Sequence, residues 1–307
     1  MGKKSKRNSP KPGGNRAQRL AERRAALEQA AQASTRPFAG SAMECDLVAL
    51  REFVPSATAQ LPLLSSVGAD RPVVLATVLP GAAAALVRTG DEVSGYVAAQ
   101  VQFSGPDPAA ELAAAVLWTQ SAEPGDSLPA VASVAGGPRL TDVVDSAARL
   151  DLTVHADFDW WIPEGVEPDP QVAATLEQAN QAIMPTARLE LDTKSTDAAW
   201  WVDAGEKAHI RWVRPEDEDA LMLALARLHA AGGLHLGEGS RFAGSFRTHG
   251  LLVPVFDLDR ERHPDEWIAP AVEFDARLLD ALVSTSPLTV DERRSRDGLR
   301  SRQVTLR

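Results

Sequence analysis

Residues 198–231 read AAWWVDAGEKAHIRWVRPEDEDALMLALARLHAA, and the order of events in this stretch decides the fold. Trp200, Trp201 and Val202 are bulky residues of high strand preference, and Asp203-Ala204-Gly205-Glu206 supplies a glycine where a tight turn needs positive φ. Beyond the turn, His209, Arg211 and Val213 alternate with Ile210, Trp212 and Arg214, the period of a strand with one face covered. Pro215 ends that ladder because it cannot donate to a sheet, and the run Glu216 to Asp219 then sets negative charge at the positive end of a helix. Leu221, Leu225 and Leu228 make the helix's buried stripe, and Gly232-Gly233 gives it an exit. The stretch is strand, turn, strand, helix.

Residues 83–120, AAALVRTGDEVSGYVAAQVQFSGPDPAAELAAAVLWTQ, repeat that order. The turn is Thr89 to Glu92, the returning strand runs from Val93 to Phe103, and a helix opens at Asp107 with Pro108 just inside it and Leu112 and Val116 on its buried side. The echo implies an internal duplication. The expected fold is therefore α+β, two related modules, each a small, mainly antiparallel sheet packed with helices.

Working outward, residues 1–36 read as a basic tail, disordered over its first fourteen residues and running into a helix from Asn15. The first module is expected at 37–164. It opens with an amphipathic helix carrying Leu47, Leu50 and Phe53 on one face, followed by a buried strand over Arg71–Leu79. Leu150–Trp161 alternates strictly and predicts one long strand. Gly165–Pro170 reads as the linker to a second module at 165–288, which adds a helix over Gln171–Met184, a strand over Ala187–Asp192, a glycine-rich loop and strand over Leu234–Asp257, and a final helix over Asp275–Val283. Residues 289–307 read as a basic tail, frayed from Asp291.

The chain of 307 residues is 44% hydrophobic, enough for two ordinary cores, and contains no apolar run near the ~20 residues that a membrane helix needs. No secretory h-region follows the basic start, so the expected compartment is the cytoplasm, with no membrane partner. A single cysteine, Cys45, excludes an internal disulfide and reads as a small buried hydrophobe. Charge is distributed unevenly. Residues 1–24 hold nine cations, Lys3, Lys4, Lys6, Arg7, Lys11, Arg16, Arg19, Arg23 and Arg24, against one acid, so that of a net charge of −10 the remaining residues carry −18. Nine cations in one short segment would release counterions from RNA or DNA without sequence choice, and a solubility element is the plainer reading of the same residues.

Three further groups are candidate sites. Arg241, Phe242, Phe246, Arg247 and His249 lie in the glycine-rich run 237–250, where close backbone approach, cations and aromatic rings would suit a phosphate or a stacked base; a structural hairpin is the alternative. His155, Asp157 and Asp159 would share one strand face at spacings of two, as cation ligands or as a solvated edge. His229 and His235 flank a helix exit, beside no identifiable nucleophile. No stretch carries a catalytic or cofactor motif, so the reading leans away from an enzyme and implies neither a cofactor nor a bound metal.

At residues 44–61, ECDLVALREFVPSATAQL, preceded by MGKKSKR and followed by GSRFAGSFRTHGLLVPVFDLD at 239–259, the chain resembles a family of uncharacterised actinobacterial proteins of about this length. Some members carry transferred labels pointing to the protein-translocation motor or to a topoisomerase. The residues here support neither label: there is no nucleotide-binding loop, the lone Tyr96 has no active-site context, and no Cys/His metal tail is present. What the resemblance implies is a bacterial cytosolic protein. The expected function is a non-enzymatic binding protein that reaches RNA, or the ribosome, through residues 1–24. The alternative is a protein-assembly module using exposed tryptophans, and a metal-dependent hydrolase at the His155 face ranks last.

Overall fold

The computed structural model describes residues 35–305 except 68–70, 91, 133–136, 164 and 192–194. The basic segment and its expected helix lie outside the described residues. Residues 35–307 form one compact unit built on two six-stranded sheets.

The quoted stretch folds as read. Strands β8 (Ala198–Asp203) and β9 (Ala208–Val213) pair antiparallel around a turn in which Asp203 Oδ1 accepts Gly205 N–H at 2.8 Å, with Gly205 at φ 89°. Helix α4 (Glu218–Ala230) is capped by Asp217, whose Oδ1 accepts the Ala220 N–H at 3.1 Å, and it buries Leu221, Leu225 and Leu228. The echo folds the same way: β3 (Ala85–Arg88) and β4 (Ser94–Gln100) form an antiparallel pair, and α2 (Pro108–Ser121) follows, capped by Asp107.

Around these units the two halves diverge. The first sheet adds β1 (Ala57–Gln60), β2 (Val73–Val78), β5 (Ser127–Leu128) and β6 (Leu152–Val154), in the order β5-β3-β4-β2-β1-β6. The second adds β7 (Thr186–Leu189), β10 (Ser240–Thr248), β11 (Leu251–Leu258) and β12 (Gln303–Thr305), in the order β12-β10-β11-β9-β8-β7. Each sheet is antiparallel except at one pairing, β2 with β4 in the first and β10 with β12 in the second. The parallel pairing therefore falls at the hairpin's inner neighbour in one sheet and at the edge in the other.

Helix α1 (Glu44–Glu52) joins the halves. Every residue from Glu44 to Leu50 is buried, so the expected amphipathic helix with one apolar face is corrected to one covered all round. Its Leu47, Val48 and Leu50 share a cluster with Leu75 and Val97 of the first sheet and with Trp200, Val213 and Val253 of the second. Each such side chain contributes about 1.5–3 kcal/mol of burial. Its acids do not face water either. Glu44 accepts Arg36 Nε at 2.6 Å, and Asp46 accepts Arg188 Nε at 2.9 Å, which reaches across from β7. A second cluster lies on the other face of the second sheet, where Ile210, Trp212 and Phe256 pack with α4 and α5 (Ile268–Leu282).

Three sequence expectations are corrected. The alternating run 150–161 is a strand only over Leu152–Val154, because its rings fold back on themselves: Phe158 stacks on Trp161 at 4.5 Å and Trp160 Nε1 donates to Ser56 Oγ at 2.9 Å. Within the expected loop at 237–250, residues 240–248 are strand β10. The C-terminal segment does not fray at Asp291. Thr289 and Glu292 form a reciprocal cap for α6 (Val290–Arg300), which buries Leu299, and β12 adds to the sheet. No helix among the described residues is long and apolar enough to cross a membrane.

Cys45 is fully buried, and burial first, then the charges of Glu44, Asp46 and Asp197, push its thiol well above the ordinary range. A thiol reagent is expected to label the native protein about three orders of magnitude more slowly than the denatured chain. Labelling at comparable rates would mean that α1 is open in solution.

Candidate functional site

Strand β9 buries Ala208, Ile210 and Trp212 on one face and directs His209, Arg211 and Val213 to the other. Val213 packs with α1, whereas His209 and Arg211 remain partly exposed. Register then assembles a cluster around them. His209 pairs with Asp257 on β11, and Asp257 pairs with Arg241 on β10, so Arg241, Asp257 and His209 form one row across three strands. In the next row Arg211 lies between Trp200 and Val255.

Asp257 is the hub of the first row. Its Oδ2 accepts Lys207 Nζ at 2.9 Å and an Arg241 guanidinium N–H at 2.8 Å. Burial alone would raise its pKa, but those two hydrogen bonds and the charges of Lys207 and His209 hold the carboxyl below the usual range. His209 Nδ1 lies 3.1 Å from Asp257 Oδ1, within ion-pair distance, yet off the line a hydrogen bond requires, so this buried nitrogen makes no hydrogen bond. Arg211 is more isolated still. Its guanidinium stands 5.4 Å from the centre of the Phe53 ring, with no hydrogen-bond acceptor and no carboxylate paired with it among the described residues. Burial lowers its pKa. The indole Nε1 of its cross-strand neighbour Trp200 also lacks an acceptor. Adjacent positions on this face therefore hold donors without acceptors.

Of the residues singled out in the sequence, Arg241 belongs to this cluster and the others do not. Phe242 is buried in the second cluster, edge-on to Phe256 at 5.5 Å. Phe246 packs edge-on against Phe53 at 6.3 Å. Arg247 is paired with Glu218, and His249 Nε2 lies 2.8 Å from Glu52 Oε1, a hydrogen bond that is the largest cause holding Glu52 below the usual range. Arg241, Arg247 and His249 thus face three different carboxylates. Lys3, Lys4, Lys6, Arg7, Lys11, Arg16, Arg19, Arg23 and Arg24 lie outside the described residues.

His155, Asp157 and Asp159 do not converge. His155 Nε2 lies 2.8 Å from Thr58 Oγ1, Asp157 accepts the Asp159 N–H, and Asp159 accepts Asn180 Nδ2. Among the described residues no group of three or more His, Cys, Asp or Glu could hold a metal ion. His229 bonds Ser295 Oγ, tying α4 to α6, and His235 accepts the Gly237 N–H within its own loop. The tryptophans expected on the surface are mostly interior: Trp200, Trp201, Trp212 and Trp267 are buried.

A second concavity lies between α2 and the end of β4. It is a small open cleft lined by Ala84, Ala99, Ala115, Leu112 and the exposed Phe103. Arg51 at its wall donates to Ala99 O at 2.8 Å and to Ser104 Oγ, so its cation is already engaged.

Sequence reasoning missed Lys207, His209, Arg211 and Asp257. The available signal was local: two polar residues on the same face of a strand whose other face carries Ile210 and Trp212. Comparison with known proteins gives one match, to the model of a family of unknown function (DUF5926), over residues 37–307. No curated protein and no solved structure matches the chain.

Proposed function

The chain belongs to this family of unknown function, and from that premise we propose that it is a binding protein that associates with RNA, the ribosome included, through the cations of residues 1–24. The observation that carries this reading is charge segregation. Nine Lys or Arg side chains and one acid fall within 24 residues of a chain whose net charge is −10. A polyanion is attracted to such a segment and repelled by the acidic remainder, so contact concentrates at one end. Binding of this kind is driven by counterion release and is indifferent to sequence.

The test is salt-dependent co-sedimentation of the full chain with ribosomes and with a single-stranded RNA. At about 0.7 per phosphate contact, nine contacts give a log–log salt slope approaching −6. Replacing Lys3, Lys4, Lys6, Arg7, Lys11, Arg16, Arg19, Arg23 and Arg24 by Gln is expected to abolish the salt-sensitive component. Association that persists in that variant, or that resists nuclease, would assign the partner to protein and sink the reading.

A further inference from the structure

Arg211 is the one cation on the partly exposed inner face of the second sheet that the fold leaves without a counterion among the described residues. Lys207 and Arg241 are held by Asp257, and Arg188 by Asp46. Covering a guanidinium without giving it an acceptor is unfavourable, and a fold that only needed a strand residue at 211 would be more stable with an aliphatic one. The neighbouring groups carry the same polarity. His209 Nδ1, two residues away on the same face, is buried and 3.1 Å from Asp257 Oδ1 without a hydrogen bond to it, and Lys207 is half exposed at the turn with a flexible stem. Same-face positions on one strand are spaced at about 6.6 Å, so Arg211 and His209 are neighbouring donors along β9 and Lys207, on a long stem, lies one step further at the turn. Phe53 gives the same spot an apolar wall, suited to the less polar body of an ester.

We propose that Arg211, His209 and Lys207 form an oxyanion site on the second sheet that takes a phosphate group, with Arg211 as its principal donor and Asp257 occupying the flanking cations when the site is empty. A guanidinium offers paired N–H groups to two phosphate oxygens, the imidazole can donate to a third, and Lys207 can leave Asp257 for the anion because Arg241 remains to satisfy that carboxylate. A tetrahedral dianion can engage Arg211, His209 and Lys207 at once, whereas a carboxylate engages one or two of them, and that difference favours phosphate against the opposing charge of Asp257.

The site does not depend on the tail. The experiment titrates the full chain with inorganic phosphate at fixed ionic strength, with acetate and chloride as matched controls, following heat of binding and the His209 ring resonances. Phosphate is expected to bind with displacement of the His209 signals, and acetate to leave them in place. Arg211→Gln is expected to weaken phosphate binding roughly ten- to a hundredfold, the range for one charge-assisted hydrogen-bonding group. Lys207→Ala, on the exposed turn, is expected to weaken it severalfold and serves as the test should Arg211→Gln fail to fold. Arg247→Gln, whose partner is Glu218, should leave binding unchanged. Competition then identifies the source of the group: displacement of phosphate by a short RNA points to a polynucleotide backbone, and displacement by a nucleoside monophosphate alone points to a small ester. Phosphate binding no tighter than acetate, or equal affinity in wild type and Arg211→Gln, overturns the proposal. Neutralising the nine cations of residues 1–24 should leave the phosphate response intact while it abolishes the salt-sensitive RNA association, so the two readings fail separately.

Discussion

Replacing Arg214 by Met is expected to destabilise the folded protein by about 3–5 kcal/mol, the range for a buried ion pair broken by removal of one partner. Arg214 is fully buried at the end of β9, and its guanidinium serves three carboxylates from three places in the chain. Nη1 donates to Asp275 Oδ1 on α5 at 2.6 Å and to Asp197 Oδ2 at 3.1 Å; Nε and Nη2 donate to Glu216 at 3.0 and 2.5 Å. Trp212 Nε1 completes the shell by donating to Asp197, and its ring lies 5.2 Å from the guanidinium. Burial alone would lower the arginine's pKa, and the hydrogen bond and charge of Glu216, with those of Asp197 and Asp275, raise it instead, so the cation is locked on.

Without the arginine, two nearly fully buried acids and a third beside them repel one another in a medium that cannot solvate them. Their folded-state pKa values would then rise above the unfolded ones. Stability relative to wild type should therefore be worst at neutral pH and recover as pH falls and the carboxyls protonate. Met supplies similar volume, which separates the electrostatic loss from a cavity. A variant that also carries Asp197→Asn and Asp275→Leu should regain most of the loss, since an apolar replacement of a whole buried network is often nearly neutral. Equilibrium denaturation across pH 4–8 reads wild type and both variants, with a fall in Tm on the order of 10 °C expected for the single change. A single variant within about 1 kcal/mol of wild type would show that this cluster is hydrated and does not behave as an interior one.

That cluster also marks how far the sequence could be read. The hairpin and helix at 198–230 were legible because each of their signals is local: a glycine at the turn, a proline after β9, acids at the helix start. Arg214 was read there only as one of a strand's alternating residues, since Asp275 is 61 positions away. Helix α1 was misjudged for the same reason. Glu44 and Asp46 look like solvent-facing charges until Arg188, 142 residues on, is brought against Asp46. The candidate site follows the pattern. Arg241 stood out beside its glycines, while Lys207 and Asp257, 50 residues apart, meet only through the β9–β11 register. Composition identified the basic segment without any structure, because charge density needs no pairing to be visible. Non-local ion pairs leave no periodic trace, and the partners of Arg214, Asp46 and Asp257 were missed for that reason.

Gly250→Ala is expected to cost about 2–5 kcal/mol, and the reason lies at the junction where the folded body begins. His249 and Gly250 form the two-residue turn between β10 and β11, with φ of 47° and 76°. Backbone in this region costs an L-residue with a side chain about 1–2 kcal/mol. The larger share is steric. A Cβ at position 250 would lie 2.5 Å from the Thr35 carbonyl oxygen and 3.1 Å from Arg36 Cβ, so the incoming chain must lift away. Overpacking of this kind costs about 1–3 kcal/mol. Lifting Arg36 has its own consequence, because its guanidinium bonds Glu44 at 2.6 and 2.8 Å and the Pro215 carbonyl at 2.7 Å, tying the first described residues to α1 and to the loop after β9. Loss of that anchor strands the buried Glu44 carboxylate at the start of α1. The first turn of α1 should then exchange its amide hydrogens faster, and a protease of low specificity should cut near residues 35–36 under native conditions. Gly205→Ala is the control. Gly205 has φ 89° in an equivalent turn, but nothing lies within 4 Å of its missing Cβ, so only the backbone penalty applies. The difference between the two variants isolates the contact with Thr35. Equal losses in stability, with residues 35–36 equally protected from that protease in both, would show that residues 35–36 do not rest on the turn in solution and that α1 is held by the two sheets alone.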